Sequence, residues 1–174
     1  MRGLVKTLLV CVLISSMMTL TAFADEFDSD KYPLVTPESI LLPPGQTKTE
    51  VWYQPKARGD IISMAHLSLS NEGNGTAGIL AQTMAHLPLD KCRMRIYLDY
   101  WNEGQNSWDM EDYWDYTFLK ENESSGELTM PTIAFSVKVR HPGYIYRLRG
   151  MHVVWLNSDS EGFSTQTDGL KITK

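Results

Sequence analysis

The chain has 174 residues, of which 43% are hydrophobic and 10% aromatic, enough for one domain whose core needs no disulfide or metal staple. Its 21 acidic side chains outnumber 16 basic ones, and a formal charge of −5 excludes general affinity for nucleic acid or an anionic membrane surface.

Residues 1–24 read as a signal peptide. Arg2 and Lys6 form a basic start, an apolar run covers 8–20, and Ala22-Phe23-Ala24 places small residues where cleavage after Ala24 is expected. A membrane anchor needs about 20 apolar residues, and this run is broken by Ser15, Ser16 and Thr19. Removing Arg2 and Lys6 takes the charge from −5 to −7, and no second apolar span follows, so the exported chain is expected to lack a transmembrane segment. Cys11 leaves with the signal. Cys92 then has no partner in the chain; it is expected to be buried as a small hydrophobe beside Met94 and Ile96, the alternative being a bond between chains.

Residues 25–57 form an acidic leader, partly disordered, in which Pro33, Pro37, Pro43, Pro44 and Pro55 remove backbone donors. Within it, Val51 and Tyr53 alternate with Glu50 and Trp52, so 47–53 suits either an edge strand ended by Pro55 or more leader. The folded domain is expected over 58–174. Ala65, Leu67 and Leu69 alternate with His66, Ser68 and Ser70, and Asn74-Gly75 is a strong hairpin signal before a return strand over 76–87. Gly78-Ile79-Leu80-Ala81 would also suit a short helix; Thr83 and the turn favour strand. A third strand covers 92–101, with Cys92, Met94, Ile96, Leu98 and Tyr100 on one face and Arg93, Arg95, Tyr97, Asp99 and Trp101 on the other. Trp114, Tyr116 and Phe118 mark the fourth strand, and Ile133, Phe135, Val137 and Val139 the fifth. The sixth, over 144–156, sends Tyr144, Tyr146 and Leu148 one way and Arg147 and Arg149 the other, with Gly150 signalling a bulge or a close backbone approach. The seventh, over 163–172, is kinked at Asp168-Gly169. About seven short strands separated by turn signals predict an all-β, antiparallel β-sandwich.

Pro142-Gly143-x-x-Tyr146-x-Leu148 resembles the crossing into strand F of fibronectin type III domains, where a tyrosine braces the corner. That resemblance implies an immunoglobulin or fibronectin type III-like sandwich in which the chain changes sheet before Tyr146. A hairpin at His141-Pro142-Gly143 is the competing topology. A second resemblance rests on Asn71-x-Gly73-Asn74-Gly75, Ile96-x-Leu98 before Trp101 and Trp108, Tyr146-Arg147-Leu148-Arg149-Gly150-x-His152, and Thr167-Asp168-Gly169-Leu170-Lys171-Ile172. From about Ser63 onward these motifs are similar to a group of small, uncharacterised exported proteins of Gram-positive bacteria, which implies a secreted bacterial β-sandwich and transfers no catalytic residue.

No pattern in the chain specifies a reaction. His66, His86, His141 and His152 are scattered and no CxxC or HxxxH unit exists, so no metal site or cofactor is expected. No GxSxG elbow is present. Arg58-Gly59-Asp60 reads as a chance match to an integrin-binding tripeptide, and Asn74-Gly75-Thr76 and Asn122-Glu123-Ser124 matter as glycosylation patterns only in a eukaryotic secretory path. The stretch 99–115 sets Trp101, Trp108, Tyr113 and Trp114 among six acids, which suits ring-stacking on a sugar, a calcium loop, or simply a hairpin with a solvated tip. Arg93, Arg95, Arg147 and Arg149 form an outward basic set that either faces an anion or pairs with Asp99, Asp115 and Glu127. The expectation is a non-catalytic protein secreted to the cell exterior that binds a glycan or protein surface there through Trp101, Trp108, Arg95 and Arg147. The alternative is a small secreted hydrolase using loop carboxylates.

Overall fold

The computed structural model describes residues 38–54 and 61–174; the expected signal peptide, most of the leader and Arg58-Gly59-Asp60 lie outside them. Alternating side chains produce an all-β sandwich, with nine strands among the described residues. They are β1 (Lys48–Tyr53), β2 (Ile62–Gly73), β3 (Thr76–Ala85), β4 (Lys91–Asn102), β5 (Ser107–Leu119), β6 (Thr132–Lys138), β7 (Ile145–Leu156), β8 (Asp159–Gln166) and β9 (Leu170–Lys171). One sheet has the order β1-β2-β3-β6 and the other β5-β4-β7-β8, with β9 paired to β7, and every named pair is antiparallel.

The inner faces follow the period-two pattern. Cys92, Met94, Ile96 and Leu98 of β4 meet Leu67 and Leu69 of β2 and Leu148 and Val154 of β7 in a single core. Cys92 is a free, buried thiol, and burial pushes its pKa up to about 12, so it packs as a hydrophobe. The Asn74-Gly75 hairpin forms with φ of 51° and 67°, the two positive values that a type I′ turn requires. An extra residue between Asn71 and Gly73 shifts the register, so His66 faces Gln82 and not Thr83. Gly75 also lets the turn press on the next corner, since a Cβ there would lie 2.8 Å from Pro142 Cγ.

Two expectations change and one open alternative is settled. The sandwich begins before residue 58, because 48–53 pairs along its whole length with β2 and forms the edge strand β1. The single seventh strand is two: β8 starts at Asp159 and ends at Gln166, and Asp168-Gly169 separates it from β9. Gly150 marks a close approach and not a bulge, as the β4 and β7 registers run through it unbroken while a Cβ would lie 2.6 Å from Thr165 Oγ1.

Between β6 and β7 the chain changes sheet, as the corner reading expected. The Tyr146 hydroxyl accepts the His141 N–H at 3.0 Å and donates to Glu111 Oε2 at 2.8 Å, while Glu111 Oε1 accepts the Arg140 N–H at 2.8 Å. Glu111 reaches this corner through a bulge. Leu98 pairs with Asp112 and Asp99 with Met110, leaving Glu111 as the extra residue, turned inward and buried. The same irregularity sends Met110 outward.

Candidate functional site

Trp101 and Trp108 sit opposite each other on the β4–β5 hairpin, ring centroids 5.3 Å apart and planes at 65°, an edge-on pair. The Arg147 guanidinium lies over the Trp108 ring at 4.4 Å. Three of the four expected site residues therefore meet. Arg95 does not join them: register places it opposite Met151, whereas Arg147 stands opposite Asp99. Arg95 instead makes a fork with Asp115, at 2.6 and 2.7 Å, and lies 5.2 Å from the Tyr113 ring centroid.

Arg147 is buried, contrary to the solvent-facing position that alternation assigned it. Its Nε donates to Asp99 Oδ2 at 3.0 Å, and Arg149 clasps the same carboxylate through Nε to Oδ2 at 2.6 Å and Nη2 to Oδ1 at 2.8 Å. Asp99 is only 1% exposed and is compensated by two guanidiniums. Burial lowers the Arg147 pKa from the usual arginine value, against the opposing pull of Asp99. What covers Arg147 is the leader itself: residues 38–42 run beside 167–169, and Leu41 and Gly169 form a parallel bridge. Gly169 permits this approach, since a Cβ would meet Ile145 Cγ2 at 2.8 Å, Trp108 Cη2 at 2.9 Å and Leu41 Cδ2 at 3.2 Å.

Beside this covered cluster opens a cleft of about 350 Å³. Trp101 at the end of β4 and Tyr144 at the sheet-crossing corner supply aromatic walls; Leu42 and Pro44 of the leader add an apolar side; Glu103 and Lys171 supply charge. Tyr144 is 49% exposed yet held from behind, with His141 and Tyr100 ring centroids at 5.4 and 6.1 Å. The Asn102 amide, also at the cleft, serves the turn: Nδ2 donates to Asp109 Oδ2 at 2.7 Å and Oδ1 accepts the Gly104 N–H at 3.1 Å. An aromatic slot with few polar groups is the usual form of a small-ligand site.

The other acids of 99–115 are engaged structurally. Asp109 also accepts the Tyr100 hydroxyl at 3.3 Å, Asp115 pairs with Arg95 and Glu111 holds the corner. No group of three His, Cys, Asp or Glu side chains able to hold a metal occurs among the described residues. His152 is fully buried between two hydroxyls, Thr83 Oγ1 at 2.8 Å from Nδ1 and Thr165 Oγ1 at 3.0 Å from Nε2, and burial pulls its pKa down to about 3.

Sequence reasoning missed Tyr144 as a wall, having assigned it to the strand face, and missed an aromatic stack on the other sheet. There Trp52, 51% exposed, lies parallel to His66 with centroids 3.8 Å apart. The alternation of Trp52 with Val51 and Tyr53 was the available signal.

No helix among the described residues is long and apolar enough to cross a membrane. No curated protein matches the chain. Residues 43–170, from the prolines before β1 to the first residue of β9, match DUF6147, a family of unknown function, and the chain belongs to that family.

Proposed function

We propose that the chain is exported and acts outside the cell as a non-catalytic binding module whose cleft between Trp101 and Tyr144 takes a glycan. The observation that carries this reading is the pairing of two aromatic walls with a carboxylate and an ammonium around a volume of about 350 Å³. Sugar rings offer apolar C–H faces to aromatic rings, and their hydroxyls suit Glu103 and Lys171. A signal-like start and similarity to exported proteins of Gram-positive bacteria support an extracellular, bacterial setting.

The strand order supports a fibronectin type III-like or immunoglobulin-like topology. With β2, β3 and β6 in the roles of A, B and E, and β4, β7 and β8 in those of C, F and G, β5 falls beside C and β1 is an addition at the edge. The Tyr146 corner agrees with it. A glycosidase would need two carboxylates flanking the scissile bond, and Glu103 is the carboxylate among the residues lining this cleft.

The test is tryptophan fluorescence of purified protein starting at Asp25, titrated with soluble oligosaccharides and cell-wall fragments. Saturable quenching is expected, abolished by Trp101→Ala and by Tyr144→Ala, with each melting midpoint within a few degrees of the parent. Binding that survives both substitutions would overturn the assignment of the cleft.

A further inference from the structure

The segment covering Arg147 is held as a bound peptide would be. Two main-chain bonds join it to the strand end: Leu42 N–H donates to Gly169 O at 2.9 Å, and Gly169 N–H to Ile40 O at 2.8 Å. Ile40 N–H adds a bond to Asp168 Oδ1 at 3.0 Å. These contacts read only backbone. One side chain is read specifically: the Ser39 hydroxyl accepts from Arg147 Nη1 at 3.2 Å and Gln166 Nε2 at 2.8 Å and donates to Thr167 O at 3.0 Å. Leu41 then lies along Gly169, where the missing Cβ makes room.

The hold is limited in extent. Pairing amounts to a single bridge, and of the segment's three apolar residues Ile40 and Leu41 remain 67% and 41% exposed while Leu42 is partly buried against the core. Segments tied by few buried contacts open at low free energy. Exchange with the same segment of a second copy would trade like for like and gain no bond, whereas a segment with better-fitting apolar residues gains area.

We infer that the groove formed by 167–169, Arg147 and Trp108 is a peptide-recognition site, occupied in cis by residues 39–42. Its trans ligand is an extended segment of another protein carrying a hydroxyl residue followed by branched apolar residues. Binding is strand addition: main-chain bonds supply affinity, and the hydroxyl cradle sets the register. This site adjoins the glycan cleft, since Leu42 of the covering segment is also part of the cleft's apolar side.

The experiment uses the whole chain with a protease site placed between Gly45 and Gln46, so that one cut turns the covering segment into a separate fragment. The probe is a labelled synthetic peptide of residues 38–44, followed by fluorescence anisotropy. If the fragment is retained through gel filtration, it binds in trans and the inference holds. If it leaves, the cut protein should bind the probe saturably and at least about tenfold more tightly than the intact chain, whose tethered segment competes at an effective concentration on the order of millimolar. Ser39→Ala in the peptide should weaken this binding about tenfold, as should Arg147→Ala in the cut protein. Absence of rebinding after the fragment has left would overturn the inference, as would binding indifferent to both substitutions. Dimerisation of the uncut protein through this segment would overturn the partner assignment in favour of exchange between copies. The peptide variant leaves the protein unaltered, so the test survives any instability of the Arg147 variant.

Discussion

The two halves of β7 bury polar groups in opposite ways. In its first half Arg147 and Arg149 share one buried carboxylate, Asp99, and Tyr146 binds a second, Glu111; in its second half His152 sits neutral between Thr83 and Thr165. The charged half depends on partners brought from β4, β5 and the leader, because an isolated charge in that environment costs several kcal/mol. The neutral half needs two hydroxyls and suffers only when a proton is forced on it. The first arrangement borders the covered groove and the cleft, and the second belongs to packing alone.

The largest expected effect comes from stripping the charged half of its centre. Asp99→Ala leaves two guanidiniums without their carboxylate and should cost about 3–5 kcal/mol in a denaturant melt. Loss below 1 kcal/mol would mean that water already compensates both arginines. Next, Tyr146→Ala opens a cavity beside the corner and should cost about 3 kcal/mol or more, while Tyr146→Phe, which removes only the shared hydroxyl, should cost about 1–3 kcal/mol by stranding Glu111 and the His141 N–H. A negligible loss for Tyr146→Phe beside a full loss for Tyr146→Ala would show that the hydroxyl is not what braces the corner.

The neutral half answers to acid. The folded pKa of His152 is depressed to about 3, against about 6.5 in an unfolded chain. Between those values the unfolded state holds the extra proton, so this contribution is fully present above about pH 6.5 and is lost at roughly 1 kcal/mol per pH unit as pH falls towards 3. Chemical denaturation across this window should show the slope for the parent and its loss for His152→Gln. A slope unchanged by that substitution would show that His152 does not carry the acid sensitivity. The smallest effect is at the cover: Ser39→Ala should cost about 1 kcal/mol or less globally, yet accelerate hydrogen exchange at the Leu42 and Gly169 amides, both of which bond across the groove. Unchanged exchange there would show that backbone pairing alone holds the segment.

Much of the sandwich was legible because alternation is a local property of the chain. Cys92 to Leu98, Leu67 with Leu69, and the Asn74-Gly75 turn each state their inward face or their backbone conformation without reference to anything distant. Tyr146 was legible as a corner through the residues around it. Along β5 the reading failed where one residue changes parity: no periodicity announces that Glu111 is extra, so neither its inward turn nor the outward Met110 could be foreseen. The polar start of β8 at Asp159 carried no alternating apolar signal either, and its pairing with Leu156 comes from the hairpin, not from hydrophobicity.

By itself the sequence determined an antiparallel sandwich and a buried Cys92, because burial of every second residue and the demands of tight turns are written within a few positions of one another. The crossing before Tyr146 rested on a resemblance and competed with a hairpin. Only the tertiary structure decided which charges meet. Arg95 and Arg147 look alike on their strands, yet register sends one to Asp115 and the other to Asp99. The placement of residues 38–42 over Arg147 was equally hidden, because a segment held by one bridge and one serine has no periodic pattern. Its position depends on Gly169, more than 120 residues away, lacking the Cβ that would have kept it out.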